Sequence, residues 1–77
     1  MPHADALRQE LLRTHDGYRR LAHEHRECEE RLHAIAQKTF PSQEDEAEEK
    51  RIKIHKLALK DRMEAIARDL AAAHAPA

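Results

Sequence analysis

A chain of 77 residues has room for one small domain, and with one Gly and three Pro it has little material for loops, so long helices are expected. Fourteen Lys and Arg against fifteen Asp and Glu leave it nearly neutral, which excludes a nucleic-acid or anionic-membrane binder driven by bulk charge. One Tyr, one Phe and no Trp restrict any core to a narrow aliphatic seam, and a solitary Cys28 excludes an intrachain disulfide.

Residues 1–3 are expected to be disordered. They precede no continuous apolar run, so neither a secretion signal nor a membrane span is expected, and the cytoplasm is the expected compartment. A first helix is predicted over residues 4–38, where Leu7, Leu11, Thr14, Tyr18, Leu21, His25, Cys28, Leu32 and Ile35 recur at alternating spacings of four and three. Asp16 before Arg20 and Glu27 before Arg31 are in the favourable order for pairs four apart, each worth about 0.2–0.5 kcal/mol. Gly17 costs a helix interior about 1 kcal/mol relative to Ala, so a bend or fraying is expected near it.

Residues 39–42, Thr-Phe-Pro-Ser, are predicted to form a turn. Pro41 lacks an N–H and disfavours helical geometry at Phe40, while Ser42 followed by Asp45 is a capping-box pattern. A second helix is predicted over residues 43–74, opening on Glu44, Asp45, Glu46, Glu48 and Glu49, where negative charge suits the helix dipole. Its seam is Ile52, Lys56, Leu59, Met63, Ile66, Leu70 and Ala73. Ala47, Ile54, Leu57, Ala58, Ala65 and Ala72 form a second stripe on the opposite side, and Ile54 and Leu57 are too large to leave in water without cause. Residues 75–77 read as a disordered tail.

Folding about residues 39–42 sets Tyr18 opposite Met63, Leu21 opposite Leu59, Leu11 opposite Leu70, and His25 opposite Lys56 as a polar layer that fixes register. The predicted fold is therefore all-α: residues 4–74 as one antiparallel two-helix hairpin of coiled-coil type. Its thin seam calls for more burial, most simply in a homo-oligomer, a dimer or higher, built as a helical bundle. A hairpin encloses no pocket, so the chain is read as non-enzymatic, with no catalytic residue and no cofactor.

The spacing Tyr18-x2-Leu21-x3-His25-x2-Cys28-x3-Leu32, then Pro41-Ser42 with its acidic residues, then Ile52-Lys53-x2-Lys56-Leu57-x-Leu59-Lys60-Asp61, resembles the YdcH-like family of small bacterial proteins over about residues 10–70. The resemblance implies a cytoplasmic bacterial helical hairpin without an established activity. Cys28, where the family pattern more often has Leu, and Gly17 depart from it.

The leading functional reading is an oligomerisation or protein-interaction module, with Ile54, Leu57, Ala58, Lys53, Lys56 and Lys60 as interaction residues and an unidentified protein as an alternative partner to a second copy. A second reading takes Lys53, Lys56 and Lys60, within about 60° of arc, as a binder of acidic partners or nucleic acid. No aromatic residue interleaves with these lysines to stack bases, so nucleic acid is not expected. A third places a metal or redox site at His25 and Cys28, three apart on one face, with two copies of the chain supplying four ligands.

Overall fold

The computed structural model describes residues 2–74; the predicted 75–77 tail lies outside them. Three helices follow one another: α1 (Pro2–Thr14), α2 (Asp16–Ala36) and α3 (Gln43–His74), and there is no strand among the described residues. The all-α expectation holds, but the two-helix hairpin does not, because the helix predicted over residues 4–38 is two helices. It also starts earlier, at Pro2, within the segment expected to be disordered. Proline lacks only an N–H that the first turn leaves unpaired anyway.

The break falls at His15, two residues before the glycine where a bend was expected. His15 is extended (φ −112°, ψ 105°), and its Nδ1 accepts a hydrogen bond from the Tyr18 N–H at 2.9 Å, the role that a Ser or Asp N-cap more often plays. The ladder survives on both sides of it. The His15 N–H donates to the Leu11 carbonyl at 2.8 Å, closing α1, while its own carbonyl accepts from the Arg19 N–H at 3.0 Å, opening α2. Asp16 adds negative charge to the first turn of α2. Gly17 leaves space for the imidazole, since a Cβ there would lie 3.0 Å from His15 Cε1 and 3.4 Å from Nδ1. Thr14, predicted as a seam residue, is exposed instead and donates its hydroxyl to the Glu10 carbonyl at 2.8 Å.

At the other end of α2 the helix stops at Ala36, two residues short of the predicted Lys38, and residues 37–42 connect to α3. The capping box forms reciprocally: Asp45 N–H donates to Ser42 Oγ at 3.0 Å and Ser42 N–H donates to Asp45 Oδ2 at 2.9 Å. Lys38 Nζ reaches the remaining Asp45 oxygen at 2.7 Å, so one carboxylate ties the end of α2 to the start of α3. The Lys38 ammonium first, and then the Ser42 N–H, hold the Asp45 carboxyl down to about 2 from an ordinary 3.8. Because the folded pKa is depressed, the unfolded chain binds the proton more readily, and this contribution is full above about pH 4 and disappears as pH falls through about 2. The melting temperature of the wild type is expected to fall more steeply between pH 4 and pH 2 than that of Asp45→Asn, as circular dichroism would record; parallel slopes would contradict the clamp.

α2 and α3 run antiparallel. Ion pairs set the register: Glu24 with His55 at 3.7 Å and Arg31 with Glu48 at 2.5 Å across the two helices, and Lys38 of the connection with Asp45 at 2.7 Å, residues 24, 31 and 38 following one another at heptad spacing. The buried apolar residues are few: Leu11 from α1, Tyr18 and Ile35 from α2, and Leu59 from α3. Around them Leu7, Leu21, His25, Cys28 and Leu32 on one side, and Ile52, Lys56, Met63, Ile66 and Leu70 on the other, are half-buried, as their spacing predicts; Ala73, at the end of the predicted seam, is exposed. The molecule measures 55 × 23 × 16 Å. No helix is long and apolar enough to cross a membrane among the described residues.

Candidate functional site

Two surfaces stand out, one on α3 and one where the three helices meet. The first is the outer stripe. Ile54 is 70% exposed and Leu57 63% exposed, with Ala47 and Ala58 exposed beside them, so the α3 face opposite the seam presents large apolar side chains to water. Phe40, in the connection before α3, is more exposed still.

The three lysines named from the sequence do not act alike. Lys53 is exposed and paired with Glu49 at 2.9 Å on its own helix. Lys56 is half-buried, with Nζ 3.6 Å from Glu29 Oε2. Lys60 is exposed and forms no ion pair among the described residues. Glu29 also takes the His25 Nδ1 at 3.1 Å, so the expected His25–Lys56 layer contains an intervening carboxylate that binds both. That acid is invisible to a reading of seam positions, because Glu29 sits beside the seam and reaches in with its side chain.

Cys28 is half-buried next to this layer. Burial pushes its thiol pKa up, the carboxylates of Glu24 and Glu27 add to that, and Lys56 opposes them. A thiolate, the form that binds metals and attacks disulfides, is thereby disfavoured. His25 for its part has one ring nitrogen committed to Glu29. Among the described residues no three His, Cys, Asp or Glu side chains gather where they could hold a metal ion.

The second surface is a cleft of about 590 Å³ where α1, tilted by the elbow at His15, leans over α2 and α3. Leu7 and Arg8 of α1, together with Tyr18 and His25 of α2, form one side of it. Met63 and Ala67 give the α3 side an apolar floor, edged by Lys60, Glu64 and Arg68. The expectation that this fold encloses no pocket is thus corrected by its third helix. Sequence reasoning missed Arg8 and Arg68 as partners of Lys60, since only the elbow brings α1 to this part of α3. The signal for it was the run His15-Asp16-Gly17, a ring acceptor, a first-turn acid and a residue without a side chain.

Fold and surfaces together define a small all-α protein with an open cleft between its three helices and an unpartnered apolar face on α3. No family model, curated protein or solved structure matches the chain.

Proposed function

We propose that the chain is a non-enzymatic helical module, bacterial and cytoplasmic as its resemblance to the YdcH-like family implies, that works by pairing the outer face of α3 with the same face of a second copy. The observation that carries this reading is the exposure of Ile54 and Leu57 on a helix whose other stripe is already buried. Charge placement supports a second copy as the occupant. At 100° per residue, Lys50 and Asp61 lie on the same face as the stripe, equidistant from the midpoint of Ile54 and Leu57. Two α3 helices crossing antiparallel about a two-fold axis would then set each Lys50 against the Asp61 of its mate. The same arrangement leaves His25 and Cys28 of the two copies on far sides of the dimer, so it offers no support for a metal shared between them. The lysine trio is drawn on less, because Lys53 and Lys56 already face Glu49 and Glu29.

Sedimentation equilibrium tests the reading. The wild type is expected to dimerise at about 10 μM, and Ile54→Glu/Leu57→Glu to weaken association by more than about 100-fold, since each lost apolar burial is worth about 1.5–3 kcal/mol and occurs twice per dimer. Helicity should not change, both side chains being exposed. Lys50→Glu should weaken the dimer and Asp61→Lys in the same chain restore it. A wild type that stays monomeric at about 500 μM, some fifty times higher, would refute the proposal.

A further inference from the structure

Tyr18 is the one aromatic residue of the core, only 3% exposed, and it stands on the wall of the cleft between the three helices. Its hydroxyl has no hydrogen-bond partner among the described residues, and no side-chain nitrogen or oxygen there is both sealed from solvent and unpaired. The phenol is therefore an unused donor on an otherwise buried side chain that lines the cleft. Arg8, Lys60 and Arg68 gather at the same cleft from two helices, and none of them forms an ion pair among the described residues. Leu7 and Met63, half-buried, give the cleft its apolar surface. Its volume of about 590 Å³ lies in the range of small-molecule sites, about 300–1,000 Å³.

We propose that this cleft binds an amphipathic monoanion, a carboxylate bearing an alkyl chain. The Tyr18 hydroxyl donates to the carboxylate, the cations of Arg8, Lys60 and Arg68 offset its charge, and the chain lies against Leu7 and Met63. Glu64 on the same wall cancels one of the three positive charges, and the apolar surface of Leu7, Met63 and Ala67 favours an anion that carries an alkyl chain over inorganic phosphate. This site is separate from the outer face of α3 and does not depend on self-association.

Isothermal titration with sodium octanoate tests it, with acetate as charge without chain and octan-1-ol as chain without charge. One octanoate should bind per chain, and both controls should bind at least about tenfold more weakly. Tyr18→Phe is expected to weaken octanoate about tenfold, the worth of one hydrogen bond to a charged group. Lys60→Gln/Arg68→Gln, altering two exposed residues that the fold does not need, should weaken it at least as much. Ile54→Glu/Leu57→Glu should leave octanoate binding unchanged, which separates the cleft from the dimer face. Absence of octanoate binding, octanol binding as tightly as octanoate, or wild-type affinity in both Tyr18→Phe and Lys60→Gln/Arg68→Gln would overturn the proposal.

Discussion

Leu59→Ala is expected to destabilise the protein by about 2–5 kcal/mol, whereas Leu57→Ala, two residues away on the same helix, should change monomer stability by less than about 0.5 kcal/mol. The two substitutions remove the same atoms from positions of equal helix propensity, so the difference isolates burial. Leu59 is 2% exposed and Leu57 63% exposed. Among the described residues Leu59 is also the only fully buried apolar residue that α3 contributes, and it shares the core with Leu11, Tyr18 and Ile35. A core this small has few neighbours able to collapse into the space a lost leucine leaves, which places the cost toward the upper part of the range. Urea unfolding should be followed in an Ile54→Glu background, where association no longer contributes to apparent stability. The denaturant slope should stay constant while the midpoint shifts. Equal losses from both substitutions would mean that the inner and outer stripes of α3 had been assigned the wrong way round.

Much of this arrangement is written in local chemistry. Predicted limits of residues 43–74 coincide with α3, because Ser42 and Asp45 can satisfy each other's backbone donors and Pro41 prevents the preceding helix from continuing. The two stripes of α3 were distinguishable by side-chain size and spacing, and burial sorts them as expected at Ile52, Leu59, Met63, Ile66 and Leu70 against Ile54 and Leu57. His15 escaped notice for a physical reason. A one-residue break that keeps its N–H in α1 and its carbonyl in α2 hardly disturbs the ladder, and it leaves Leu11 and Tyr18 both buried, so the apolar period runs through it uninterrupted. Only Thr14, thrown out to solvent, betrays it. The cleft was illegible for the same reason, since its α1 wall exists only once the direction of that helix is known. Glu29 was missed because its role depends on side-chain reach to His25 and Lys56.

His15→Ala/Gly17→Ala is expected to fuse α1 and α2 into one straight helix and swing residues 2–14 away from α3. In the bent chain the imidazole cap contributes about 0.5–2 kcal/mol, and the burial of Leu11, 1% exposed, about 1.5–3 kcal/mol more. Ala at position 15 removes the cap and supplies the best helix former in its place. Ala at position 17, helical in both forms, closes the space in which a ring at position 15 caps α2. Loss of the cap is comparable to what Leu11 holds, so the balance moves to the straight form or close to it. Spin labels at Ala6 and Asp69, both exposed, in a Cys28→Ser chain would report a longer and broader distance, while α2 and α3 keep their hydrogen-exchange protection. His15→Asp, which restores an acceptor for the Tyr18 N–H, should keep the short distance. Straightening also withdraws Leu7 and Arg8 from the cleft, so the double variant should lose octanoate binding while remaining a dimer. An unchanged label distance in His15→Ala/Gly17→Ala would show that Leu11 alone holds α1 in place and that the cap only decorates the bend.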